Sequence, residues 1–228
     1  METIARAFDL GLKANRKERP ANTFFRGSKL GSCLRQQYYD ATGEPVTNPF
    51  EDRLYRIFEQ GHVIAEAFER NLKASGLFAV FKSEVPVTIE EYNFSGNIDH
   101  LVQWAEDDQL EVIEMKSMNS NGFKYLKGPK PEHAIQAASY AVALERTLDP
   151  SVKVKARVVY VSKDDFLISE YTIDRKWYAK ALRVLEVGNK FKEQGRIPFR
   201  LPTPEGKDPK KMWPCAGCQW LTKCKGGE

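Results

Sequence analysis

No run of apolar residues in this chain approaches the ~18 that a membrane-spanning helix requires, so no membrane partner is expected. Residues Met1 to Leu12 are amphipathic, yet they lack the apolar stretch and small-residue cleavage site of a secretory signal. A cytoplasmic location is the expectation, and there thiols stay reduced, which favours metal binding over disulfides. There is no internal repeat and no low-complexity tract. Histidine is scarce, three among 228 residues, which leaves His62, His100 and His133 as the available imidazoles. The net charge of +4 is too small to name a partner by itself. What is present is 42% apolar residues, enough for a core, and 29% charged residues, a balance that argues against disorder. The length fits one large domain, or one domain with a small appendage.

The charge is unevenly placed. Between Arg6 and Arg35, the basic Arg6, Lys13, Arg16, Lys17, Arg19, Arg26, Lys29 and Arg35 meet only Asp9 and Glu18. From Lys116 to Lys130 there are Lys116, Lys124, Lys127 and Lys130 and no acid. Local positive surfaces of this kind suit a polyanion such as DNA, although the same residues also make an ordinary solvated face.

Ser28 to Tyr39 reads as a helix, with Ser28 as N-cap and Cys33 inside it. A long helix is predicted from about Phe50 to Ala74, with Leu54, Ile57, Phe58, Ile64, Ala65, Phe68 and Leu72 near helical spacing and Gly76 as its stop. Val85 to Glu90 alternates like a strand, and Asn93 to Trp104 reads as its hairpin partner across Glu91-Tyr92. Leu110 to Met115 is a short apolar strand. A helix from Glu132 to Leu148 enters after Pro129 and Pro131 and ends before Pro150. Lys155 to Ser162 and Phe166 to Thr172 form a second strand pair, and Asp174 caps a last helix to about Gln194. After Gly195, Pro198, Pro202, Pro204, Pro209 and Pro214 break regular structure. The order predicts an α/β fold with a central mixed sheet flanked by helices. Residues 1–75 form an N-terminal helical region, 76–195 the core, and 196–228 a tail without a core of its own.

The four cysteines are divided between the two ends. Cys33 stands alone, while Cys215, Cys218 and Cys224 crowd the tail as C-x-x-C-x-x-x-x-x-C. A lone early thiol and a late trio suggest one four-thiolate site, and thiolates hold iron–sulfur clusters or zinc. Zinc usually takes paired C-x-x-C hooks, and Cys33 has no nearby partner. Four buried apolar thiols are the plainer alternative, but no apolar run surrounds the trio.

A second constellation lies between the ends. Gly96-Asn97-Ile98-Asp99 sits on one predicted strand and Glu114-Met115-Lys116 at the end of the next. Glu114 and Lys116 are two apart, so on a strand they share a face, and pairing would bring Asp99 to it. Two neighbouring carboxylates repel, which argues for a cation between them. Oxygen ligands select a hard ion, magnesium or manganese. Such an ion polarises a phosphoryl oxygen and acidifies a water, and Lys116 would offset charge in the transition state. Gln136 and Tyr140, four apart, share a helix face and would hold the lysine, a ligand or a phosphate. His100 follows Asp99 and so points to the opposite face. His133 opens a helix and is read as a cap.

G-N-I-D, then E-M-K, then Q-A-A-S-Y resembles the PD-(D/E)xK nuclease superfamily in its RecB-like branch. With Cys33 and the Cys215/Cys218/Cys224 trio, the chain resembles the iron–sulfur CRISPR-associated "Cas-four" exonuclease family and AddB-type nuclease domains, from about Ser28 to Cys224. The resemblance implies a restriction-endonuclease-like core carrying a C-terminal iron–sulfur tail that packs on the N-terminal region. It implies Mg2+ or Mn2+ bound by Asp99, Glu114 and the Met115 carbonyl, with Lys116 as the catalytic lysine. Relatives draw a further ligand from the helix before the sheet. Ala65 occupies the usual place here, so His62 is favoured and Glu66 is the runner-up. The implied cofactors are a structural 4Fe-4S cluster on Cys33, Cys215, Cys218 and Cys224, with Zn2+ as the alternative, beside the catalytic ion. The implied activity is exonucleolytic trimming of single-stranded DNA, with CRISPR-adaptation or recombination proteins as partners. Arg35, Lys124, Lys127 and Lys130 are candidate DNA contacts, and Phe24, Phe25, Tyr38, Tyr39, Phe123 and Tyr125 candidate stacking residues. Two other readings compete: a catalytically weak binding module of the same fold, and a zinc-stapled interaction domain.

Overall fold

A computed structural model describes residues 3–15 and 24–226; Arg16, Lys17 and Arg19 of the first basic stretch lie outside the described residues. Strand alternation and β-branched residues build a central sheet. Strands β2 (Phe78–Ile89) and β3 (Phe94–Trp104) form a hairpin across a tight 3-10 turn at Glu90–Tyr92. Asn93 closes that turn in the left-handed region, φ 43°. Strand β4 (Leu110–Met118) runs antiparallel to β3 and parallel to β5 (Lys155–Ser162), and β6 (Ile168–Thr172) pairs antiparallel with β5. The two-residue β1 (Phe25–Arg26) lies parallel to the start of β3. The sheet order is β1-β3-β4-β5-β6, with β2 on the other side of β3.

Helices cover both faces. On one, α5 (Pro131–Glu145) is buried at every position from Ala134 to Leu144. Its Ala134, Ala137, Ala138, Ala141 and Ala143 keep the helix slim enough to lie flat on Ile98, Val112, Val158 and Tyr160. On the other, α3 (Asp52–Ala74) sets Ile64 and Phe68 against Val102, Ile113 and Met115. Each side chain fully buried here contributes about 1.5–3 kcal/mol of apolar transfer. Around these lie α1 (Ile4–Ala14), α2 (Leu34–Ala41), α4 (Ser120–Lys124), α6 (Arg175–Glu193) and the short α7 (Leu221–Gly226). Among the described residues, no helix is long and apolar enough to cross a membrane.

Several boundaries differ from the sequence expectations. Ser28 does not cap a helix through Cys33: Gly27–Lys29 is a 3-10 turn, and Cys33 itself occupies the N-cap of α2. In the stretch between them, Gly31 is required by close packing, because a Cβ there would meet the Glu132 backbone at 2.2 Å. The first long strand starts at Phe78 rather than Val85, and β4 continues past Met115 to Met118 on parallel pairing with β5. The helix expected to reach Leu148 ends at Glu145. Strand β6 starts at Ile168, because Phe166 takes φ 60° at the tip of its hairpin.

The tail is pinned by one residue above others. Trp220, 2% exposed, packs with Tyr38 and Tyr39 of α2 and donates its indole N–H to the Glu44 carbonyl at 2.9 Å. The Gln219 carbonyl accepts from the Thr47 and Asn48 amides at 3.0 and 2.9 Å. The tail thus borrows the apolar face of α2 instead of building a core of its own.

Candidate active site

The sheet forks where the acidic residues lie. Antiparallel pairing of β3 with β4 stops at His100↔Ile113, while β1 reaches β3 only at Phe94 and Ser95. Between them, β3 from Gly96 to Asp99 has no strand partner on that edge among the described residues. Asp99 fills the gap: its Oδ2 accepts the Met115 backbone N–H at 2.8 Å. Glu114 and Lys116, alternate residues of β4, form an ion pair through Glu114 Oε1. Asp99, Glu114 and Lys116 therefore share one corner of the sheet.

Glu114 is wholly buried, and its second oxygen, Oε2, has no hydrogen-bond partner. Burial, with repulsion from Asp99, pushes its carboxyl up to about 8 against the pull of Lys116. Burial opposes the charge on Lys116, but Glu114 and Asp99 outweigh it and raise the amine above its ordinary value, so it stays an ammonium. An orphaned buried carboxylate oxygen beside a second carboxylate is a costly arrangement that a hard cation satisfies, so the donor set fits magnesium or manganese.

Tyr140 lies over the fork. A Cβ on Gly27 or Gly96 would meet its ring at 2.2 and 2.4 Å, so both glycines are required for the close approach of that ring. Gln136 Nε2 donates to the Tyr140 hydroxyl at 3.1 Å. Burial, then the charge of Glu114, holds the phenol well above its usual range, with smaller contributions from Asp99 and Glu84. The hydroxyl is neutral and keeps its proton to donate.

His62 and Glu66 are exposed on α3. Among the described residues, no three His, Cys, Asp or Glu side chains are grouped as ligands of one ion, so neither joins Asp99 and Glu114 in this arrangement. His100 is buried on the opposite face between Phe68 and Phe81, and both its ring nitrogens lack partners. His133 does more than cap: its Nδ1 lies 2.9 Å from the Tyr160 hydroxyl. Burial, with Lys116 and Lys130 nearby, depresses it to about 3.

Two groups of surface candidates need correction. Arg35 is 5% exposed and donates through Nε to the Tyr39 hydroxyl at 2.9 Å, so it braces α2 instead of offering a DNA contact. Phe25, Tyr38 and Tyr39 are core residues and present no stacking surface. Phe24 and Phe123 are half-buried, whereas Tyr125, Lys124, Lys127 and Lys130 are exposed.

Cys33, Cys215, Cys218 and Cys224 line one cavity of about 50 Å³ between α2 and the tail, together with Arg35, Gln36 and Tyr39. Burial raises the Cys215 and Cys218 thiols above their ordinary value, and the neighbouring sulfurs add to the shift. Four cysteines around one cavity are a natural donor set for a soft cation.

The α/β fold with this mixed sheet is that of known exonuclease structures. The crystal structure of SSO0001 is similar over all of both chains, with TM-score 0.57 and 16% identity. The alkaline exonuclease LHK-Exo from Laribacter hongkongensis is similar with TM-score 0.53 and 14% identity, over 77% of this chain and 90% of that one. LHK-Exo in complex with dAMP gives TM-score 0.51 and 15% identity, over 76% and 89%. No family model matches the chain, and no curated protein matches it in sequence.

Proposed function

We propose that the chain is a metal-dependent DNA nuclease that trims single-stranded ends, with a structural iron–sulfur cluster holding its tail. The observation that carries this reading is the unpartnered, wholly buried Glu114 Oε2 beside Asp99 and Lys116. Its fold is shared with exonuclease structures, one of them in complex with a nucleotide, dAMP.

Asp99, Glu114 and the Met115 carbonyl would hold magnesium or manganese, with His62 or Glu66 moving in from α3. When bound, that ion supplies Lewis acidity to a phosphoryl oxygen and acidifies a water. Lys116 cannot act as a base while it remains an ammonium. Its role is to donate hydrogen bonds and offset the negative charge that builds on the phosphorane oxygens. The Met115 N–H fixes the Asp99 carboxylate in place. Gln136 orients the Tyr140 hydroxyl, whose proton is available to a phosphate oxygen. Lys124, Lys127 and Lys130 attract the DNA backbone, with Tyr125 as a stacking surface.

At the other end, the four thiols line one cavity. A lone cysteine completed by a trio matches a cluster frame better than the paired hooks that zinc usually takes.

A second reading has one observation in its favour. His62 and Glu66 stand apart from the carboxylate pair, as they would in a DNA-binding module with little turnover. End-labelled single-stranded DNA, given manganese and anaerobically prepared protein, separates the two. The nuclease shortens the DNA, and Lys116→Ala or EDTA stops it. The binding module retains salt-sensitive DNA binding and yields no products.

A further inference from the structure

A third carboxylate stands at the fork that the sequence motifs do not include. Cross-strand pairs Ser83↔His100 and Val85↔Ile98 bracket Glu84 on β2 and Asp99 on β3, which places the two residues at the same level of the hairpin. Glu84 also takes φ 51°, a left-handed conformation that a non-glycine residue rarely adopts inside a strand. Strain of this kind persists where the surroundings impose it, and it concentrates at functional sites. The side chain is exposed and accepts a long hydrogen bond, 3.5 Å, from Asn97 Nδ2. Partial burial and the charge of Asp99 both raise its proton affinity, and His62 opposes them from α3.

We propose that Glu84 is the third carboxylate of the cation site and sets that site's affinity for a divalent ion. The inference rests on the cation site proposed above. The independent pointer to a ligand is the fully buried Glu114 Oε2, which has no protein partner. Charge balance explains the number. With all three ionised, they face one ammonium, Lys116, and leave two negative charges, the complement of a divalent cation. Without Glu84 the balance is one charge short. The spacing does not group three carboxylates around a single point, so Glu84 acts from the outer edge, through water in the ion's hydration shell. Magnesium retains such waters readily.

The test is manganese binding to the whole chain, followed by electron paramagnetic resonance and isothermal titration. Glu84→Gln keeps size and removes charge. It is expected to weaken manganese binding at least tenfold with the stoichiometry unchanged, and Glu84→Asp to recover part of the loss. The metal-free melting temperature is expected not to fall in Glu84→Gln, because a repulsion with Asp99 is removed. Should that variant fail to fold, Glu84→Gly serves, since glycine accepts φ 51° without strain, and it is expected to show the same loss of affinity. Affinity within twofold of wild type in both variants overturns the role of Glu84. If Glu114→Gln binds manganese as tightly as wild type, the cation site itself is wrong and the inference falls with it. Weakened binding in Glu114→Gln with unchanged binding in Glu84→Gln leaves the site standing and rejects the third carboxylate alone.

Discussion

The Met115 backbone N–H reaches across the fork in the sheet to Asp99 Oδ2 at 2.8 Å. A side chain takes the place that the next residue of a paired strand would have filled, and β3 and β4 can part without leaving that amide unsatisfied. One oxygen of Asp99 is committed to the fold. Asp99→Ala therefore strands the Met115 N–H and is expected to cost about 1–3 kcal/mol of stability. Asp99→Asn keeps an acceptor and is expected to stay within about 0.5 kcal/mol of wild type. Both variants are expected to lose DNA cleavage. Urea denaturation alongside an end-labelled cleavage assay separates the structural role from the chemical one.

Gly96 and Tyr140 make a second test. An added methyl at Gly96 meets Tyr140 Cε1 at 2.4 Å, and one at Gly27 meets the same ring carbon at 2.2 Å. Gly96→Ala is expected to destabilise by about 1–3 kcal/mol through overpacking. Tyr140→Phe leaves the packing intact and removes the hydroxyl. It is expected to lower the cleavage rate while the melting temperature changes little.

Glu114 makes the metal-free protein sensitive to pH. Its carboxyl sits at 4.5 in an ordinary setting and at about 8 when folded. The unfolded chain thus releases a proton that the folded chain keeps. Glu114 supports stability below pH 4.5, and that support is lost as the pH rises toward about 8. The melting temperature of the metal-free protein is expected to fall across this window relative to Glu114→Gln, which does not titrate. Saturating manganese is expected to reverse the loss at pH 8 by binding the ionised form.

Cys33, at the start of α2, lines the same cavity as the three tail cysteines, where the proposed cluster would crosslink them. Cys33→Ala is expected to remove visible absorbance from anaerobically purified protein and to lower its melting temperature in the same step. The crosslink closes most of the chain, a contribution of at most about 5 kcal/mol. Trp220 still anchors the tail in that variant, so folding is expected to survive. A colourless wild type carrying one zinc per chain would count against the cluster.

The fold class was legible because period-two and helical patterns alternate along the chain in the order that builds a mixed sheet. The nearness of Glu114 and Lys116 was legible for the same reason, since strand residues two apart share a side. Glu84 was within reach: a hairpin centred on Glu91-Tyr92 already puts residue 84 opposite residue 99. The alternating pattern begins only at Val85, whereas the strand itself begins at Phe78, and a positive φ leaves no mark on a glutamate's chemistry. Gly27 and Gly96 were silent too. Their need for glycine comes from a tyrosine ring far along the chain, and no local pattern carries that contact. Arg35 shows the reverse error: a basic residue read as surface charge is buried, because α2 is covered by the tail that the cysteines and Trp220 bring back onto it.

The most direct test of the central claim is the manganese anomalous signal in crystals of the protein grown anaerobically and soaked with manganese. The expected result is a peak in contact with Glu114 Oε2 and the Asp99 carboxylate, and its disappearance in Glu114→Gln. Manganese bound elsewhere, with Glu114 Oε2 still lacking a partner, would contradict it.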